Sequence, residues 1–298
     1  MPEDHGGAIL AERWFDEIRV SGCRPEERFG IIENILSEAS QALLCRSELR
    51  KTEAEQELIL EGLAALDGLR GGYGFPAVEV SVGRIHILDQ EEYDVSISGG
   101  GGNSTYGHIY LPRYHDPVIV ATVITHELVH LSGYSVLQAV CRPSGGGGRD
   151  VAVEPLRSGL GLFSDDRQVY SGLNESVTEV IACKMRRIMA PRLGCLDEAE
   201  RQRLTRTCAS YPQAKILDRL CWMADWIGGR PSGRTRDEAF EDYWGGGWDF
   251  IETLRRFLPG ADRALYEMGT EYADAIEAAG RLNLDDLAEE FRRRRARL

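Results

Sequence analysis

Several things are missing from this chain, and each absence narrows what it does. No stretch of about 18 or more apolar residues occurs, so nothing in it is expected to cross or enter a membrane as a helix. The first residues, Met1 to Gly7, hold neither a basic segment nor an apolar one. No secretory signal is therefore expected, and the expected location is the cytoplasm. Basic charge is outweighed: 35 lysines and arginines stand against 48 aspartates and glutamates, a net charge of −13. Such a surface repels phosphate backbones, which excludes nucleic acid as a partner. No Cys-x-x-Cys pair exists among the seven cysteines (Cys23, Cys45, Cys141, Cys183, Cys195, Cys208, Cys221). Their odd number and apolar settings predict reduced, mostly buried thiols. No repeat of fixed period is present. Finally, none of the six histidines (His5, His86, His108, His115, His126, His130) follows position 130.

What is present suffices for a sizeable core: 298 residues, 43% hydrophobic, fit one bilobed domain or two modest ones. The first seventy residues read as helices. Trp14, Phe15 and Ile18 come first, then Phe29, Ile32, Ile35, Leu36, Ala39 and Leu43 at spacings of three and four. Thr52 and Glu55 match a capping box opening a helix through Leu66. After Pro76 the pattern alternates: Val78, Val80 and Val82, then Ile85 and Ile87, then Tyr93 to Ile97 predict strands, as does Gly107 to Leu111. Asp116-Pro117 is a helix-start signal, and the helix through about Leu131 is apolar nearly all round, hence central and buried. Val151–Phe163 and Arg167–Tyr170 predict a hairpin turning at Ser164–Asp166. From Asn174 the chain is helical again, with faces set by Val177, Ile181, Met185 and Ile188, by Ile216, Leu220, Met223 and Ile227, and by Leu265, Met268, Tyr272 and Ile276. The expected class is α+β, in four stretches: a helical region over 1–72, sheet and central helix over 73–133, a hairpin insert over 134–173, and a helical lobe over 174–298.

The central helix carries His126-Glu127-Leu128-Val129-His130. Positions i and i+4 share a helix face, so both imidazoles reach one metal ion, and zinc favours such nitrogen ligands. Glu127 sits about 100° round the helix, placed to accept a proton from a water without being a ligand. Gly133 fits the longer HExxHxxGxxH pattern, but Val136 stands where its last histidine belongs. With no later histidine, a downstream third ligand is a carboxylate or a cysteine.

Asn174-Glu175-Ser176-Val177-Thr178-Glu179, read with HExxH, resembles the gluzincins, the thermolysin-like and aminopeptidase-like zinc peptidases, in which a helix supplies the third ligand from a motif of the form NExx[ST][DE]. The resemblance covers these two motifs and the order of elements. It implies a zincin-like fold with a small mixed sheet and a substrate-binding edge strand, for which Gly107 to Leu111 is the candidate. It implies Zn2+ as cofactor, with His126, His130 and Glu175 as ligands and Glu179 behind a zinc-bound imidazole; the alternative exchanges the roles of Glu175 and Glu179. Cys183, one turn further, reads as a buried free thiol. The chain departs from the resemblance at Ser132, where such helices carry an apolar residue, and in the 44 residues that separate His130 from Glu175, about twice the gluzincin gap and similar to that of the lethal-factor-like toxin proteases. A tyrosine is implied as oxyanion donor, with Tyr170 the first candidate and Tyr134, Arg157, Tyr211 and Tyr243 open.

The implied function is hydrolysis of a peptide or protein substrate by metal-activated water, with Glu127 as general base. Competing readings are a toxin-like protease specific for one protein, a metal hydrolase acting on a non-peptide bond, and a non-catalytic zinc-stabilised binding module. Arg292 to Arg295 reads as a solvated helix end. The five tryptophans (Trp14, Trp222, Trp226, Trp244, Trp248) read as packing residues.

Overall fold

Alternation, not helical spacing, governs the start of the chain in the computed structural model, which describes residues 16–28, 30–32, 48–96, 103–105, 107–143, 149–164, 167–207 and 211–296. Ile18 lies in a strand, β1 (Glu17–Ser21), and not in a helix. Ile18 and Val20 point inward and are buried, while Glu17, Arg19 and Ser21 alternate with them. The strand forms because it has a distant partner: β1 pairs in parallel with β5 (Ser135–Pro143), Ile18 opposite Leu137 and Val20 opposite Ala139. Trp14, Phe15, Phe29 and the expected helix from Ile35 to Leu43 lie outside the described residues.

The capping box at Thr52 and Glu55 is formed and opens α1 (Glu53–Gly72), which runs a turn and a half past Leu66. Residues 76–81 hold no regular structure, so Val78 and Val80 are not in a strand, and Val82 begins a short 3-10 turn. Ile85 and Ile87 lie in β2 (Ile85–Leu88), as their alternation implies. Tyr93 to Ser96 belong instead to a helix, α2 (Gln90–Ser96). Asp89 decides this: its side chain accepts from the Glu91 amide at 2.9 Å and its carbonyl from the Tyr93 amide at 2.9 Å, so an N-terminal cap outweighs the local alternation.

Strand β4 (His108–Pro112) is the middle of a three-stranded sheet in the order β2-β4-β3, parallel to β2 and antiparallel to β3 (Asn103–Thr105). The edge strand is thus β3, not the Gly107–Leu111 segment. Both β3 and β4 pack against α3 (Pro117–Ser132), whose start is capped by the Asp116 carboxylate on the Val118 amide.

The region before Glu175 is more than one hairpin. β5, β6 (Arg149–Ser158), β7 (Gly161–Ser164) and β8 (Arg167–Val169) are antiparallel in succession and, with β1, make a five-stranded sheet. The expected arm from Val151 to Phe163 is folded in two at Gly159. That glycine has φ +56°, and a Cβ there would sit 2.4 Å from the Asn174 amide oxygen and 2.5 Å from the Tyr243 ring, so no other residue fits.

The rest is helical: α4 (Ser171–Met189), α5 (Glu198–Arg206), α6 (Pro212–Gly228), α7 (Arg234–Gly245), α8 (Asp249–Phe257), α9 (Ala261–Glu267), α10 (Tyr272–Arg281) and α11 (Asp285–Arg295). Leu265 and Tyr272, expected on one helix, belong to α9 and α10. α1, α3 and α4 pack on one another, and α6 and α7 close on the far side of α4. The main core runs through all of them, from Leu58 and Ile124 to Val177, Leu217 and Phe240. The molecule is therefore mixed α and β, mostly helical, with two small sheets among the described residues. Among the described residues no helix is long and apolar enough to cross a membrane. Cys23, Cys141, Cys195 and Cys221 are free thiols. Cys183, expected as a free thiol, is instead disulfide-bonded. Trp244 is buried, whereas Trp222 and Trp226 are exposed and stacked on one another.

Candidate metal centre

Two helices supply the cluster. On α3, His126 and His130 are one turn apart and face α4. On α4, Glu175 and Glu179 are one turn apart and face back. His126 Nε2 lies 3.1 Å from Glu175 Oε2, His130 Nε2 lies 3.2 Å from Glu175 Oε1, and the two Nε2 atoms are 3.0 Å apart. Among the described residues this is the group of three whose ligand atoms, all within 4.8 Å of one another, could hold a metal ion.

The second nitrogen of each ring fixes its tautomer. His126 Nδ1 is 3.4 Å from Glu179 Oε2, a carboxylate that only accepts, so Nδ1 donates. At His130 the relay passes through two hydroxyls and a carbonyl. The Tyr243 hydroxyl donates to Val129 O at 3.1 Å, so it accepts from Thr178 Oγ1 at 2.9 Å. The Thr178 oxygen is then left to accept from His130 Nδ1, 3.4 Å away. Both imidazoles thus turn Nε2 toward the Glu175 carboxylate. Three ligand atoms converge, and either a proton shared among them or a metal ion satisfies them. Two imidazole nitrogens and one carboxylate oxygen match the needs of a borderline first-row divalent ion.

The field at the site agrees. Burial opposes charge on His126, but its hydrogen bonds to Glu175 and Glu179 and the fields of Glu175 and Glu127 raise its pKa to about 10, which favours a second proton on the ring. Burial also works against ionised Glu175, yet the two histidines pull it well below the carboxylate range. A bound metal ion would take the place of that proton. The carboxylates differ in access: the Glu175 side chain is 20% exposed, Glu179 only 2%. Glu179 is held from behind by Arg186 at 2.5 Å. That division puts Glu175 at the centre and Glu179 behind His126.

Compared with known proteins, the chain matches no family model, no curated protein and no solved structure.

Glu127 lines a cleft of about 310 Å³ beside His126, together with Val123, Tyr211, Pro212 and Tyr272. Tyr211 stacks on the His126 ring, centroids 5.4 Å apart and planes 17° from parallel. Burial first, then the fields of Glu175, Glu179 and Glu127, push its phenol pKa up and keep it a donor. Tyr170 is elsewhere: it caps α4 with a left-handed backbone, φ 57°, and its ring packs on Tyr266 and Trp248. Tyr134 reaches Glu17, and Arg157 is occupied by the carbonyls of Gly159, Asp242, Gly246 and Gly247. Tyr243 is committed to the His130 relay. Of the five candidate donors, Tyr211 is the one lining the cleft. The sequence reading gave Thr178 and Arg186 no role; Thr178 stands inside the quoted motif, and Arg186 follows Glu179 by two turns on the same face.

Proposed function

We propose that this chain is a zinc-dependent peptidase whose centre is His126, His130 and Glu175. The observation that carries the reading is the convergence of two imidazole Nε2 atoms on a carboxylate, with Glu127 beside them in an open cleft. A structural zinc site has no use for such a base, whereas a hydrolytic one requires it. The arrangement of α3 against β3, an edge strand antiparallel to its neighbour, supports a zincin-like architecture, in which an extended peptide adds to that edge.

When bound, zinc supplies Lewis acidity toward the scissile carbonyl and acidifies the attacking water. Glu127 accepts the water proton and returns it to the leaving amine. Tyr211, neutral and adjacent to His126, donates to the carbonyl oxygen as it gains charge. Glu179 and Thr178 keep the two imidazoles in the tautomer that leaves Nε2 free.

The test is elemental analysis and peptide hydrolysis on wild type, Glu127→Gln, Glu175→Ala and Glu179→Ala purified together. One zinc per chain is expected in wild type and Glu127→Gln, with hydrolysis lost by about 100-fold or more in the latter. Glu175→Ala loses the metal. A Glu127→Gln protein as active as wild type would remove the mechanism, and wild type that takes up no zinc would remove the reading.

A further inference from the structure

Among the described residues Arg186 is the largest side chain with no exposed surface. It lies on α4 between α3 and α4, behind the cluster and out of reach of any substrate in the cleft. One terminal nitrogen holds Glu179 Oε1 at 2.5 Å. The other is 3.4 Å from Thr122 O and 3.4 Å from Thr125 Oγ1, both on the turn of α3 just before His126. Thr125 spends its own hydroxyl proton on the carbonyls of Ala121 and Thr122, so its oxygen is an acceptor for the guanidinium. Arg186 Nε, also buried, has no partner among the described residues.

A buried arginine with one N–H unmet is poor value as a stability device, since replacement by a packed apolar residue is often neutral or stabilising. Its geometry serves something else. Glu179 has two oxygens: Arg186 takes Oε1, and Oε2 is left facing His126 Nδ1. The same guanidinium is tied to the α3 turn that carries His126. The fork thus sets the carboxylate and the imidazole in one frame, as a planar, always charged donor does and a flexible ammonium does less well.

We propose that Arg186 is a positioning residue for the metal centre: by holding Glu179 and the Thr122–Thr125 turn together, it aims His126 Nε2 at the ion. This rests on the reading of His126, His130 and Glu175 as a metal site. Partners that orient ligating histidines are worth about 10- to 100-fold in metal affinity, and the effect of Arg186 should be of that size.

The experiment measures zinc affinity by competition with a chromophoric chelator, and the absorption spectrum of the cobalt(II)-loaded protein, for full-length wild type, Arg186→Met and Arg186→Lys. Circular dichroism and melting curves identify the folded samples. Arg186→Met is expected to bind zinc about 10- to 100-fold more weakly with an altered cobalt spectrum, and Arg186→Lys to fall between it and wild type. If Arg186→Met does not fold, Arg186→Lys decides alone, and weakened binding supports the proposal. A folded Arg186→Met, or in its absence Arg186→Lys, with wild-type affinity and spectrum would overturn it, even with a lower melting temperature, because that is a purely structural role. Wild type that binds neither ion would overturn the metal centre as well, which separates the two failures.

Discussion

Replacing Tyr211 by phenylalanine removes one oxygen from the wall of the cleft and leaves the stacking on His126 intact. If the phenol meets the developing oxyanion, kcat falls by on the order of 100-fold with little change in KM. Tyr170→Phe should leave both constants near wild type, since that ring is packed on Tyr266 and Trp248. Steady-state kinetics on the two variants side by side checks this, and the reverse result would return the role to Tyr170. The contrast marks what a sequence can give at the scale of one residue. That His126 and His130 share a face was legible from helical spacing, whereas Glu175, which the fold brings beside them, was offered only by the resemblance to the gluzincin motif. Tyr170 drew attention through nearness in the chain to Glu175, whereas Tyr211 reaches the site from α6, 36 positions further on, and only tertiary packing brings it there. Thr178 was in view without a role because its part depends on Tyr243, also remote in sequence.

Elements were legible where their causes are local. The Thr52–Glu55 box and the Asp116-Pro117 start needed only neighbours along the chain. β1 was not legible, because Ile18 and Val20 become a strand only when β5 arrives from more than a hundred residues downstream. α2 misled for the opposite reason: the alternation from Tyr93 to Ile97 is real, but the Asp89 cap two residues before Glu91 overrides it. The β2–β4 pair makes a further prediction. It stacks His86 on His108, ring nitrogens 2.8 Å apart, with Glu48 on the outer side of His86 at 3.1 Å. Burial first, then His86 and Arg84, lower the His108 pKa from 6.5 to about 4. Between those values the unfolded chain binds the proton and the folded chain does not. The contribution to stability is thus present above about 6.5 and is lost as pH falls toward 4. Urea midpoints taken across that window should fall with pH in wild type and fall less steeply in His108→Gln. Equal slopes would show that His108 does not govern this range.

For the molecule as a whole, charge and cleft point the same way. The net charge is −13, and the cleft is lined by Glu127, Glu179 and Glu271, with no lysine or arginine among its described lining residues. Peptides with lysine or arginine beside the scissile bond should be cut about tenfold faster, in kcat/KM, than the same peptides with glutamate there, and the ratio should shrink as salt is raised. A ratio near one in low salt would show that the cleft does not read charge. Metal removal has an equally global readout. An ion that binds only the folded chain adds about 2.7 kcal/mol at a hundred times its dissociation constant. A chelator should therefore lower the melting temperature of wild type and leave that of Glu175→Ala unmoved.

The ligands His126, His130 and Glu175 and the polar groups that orient them come from α3 and α4, braced by the Tyr243 hydroxyl. A centre fed by two rods in this way is a gauge of one separation and one rotation. Sliding either helix along the other by a single turn, about 5.4 Å, would break all three ligand contacts at once. Metal affinity is therefore a fine measure of how α4 is seated on α3.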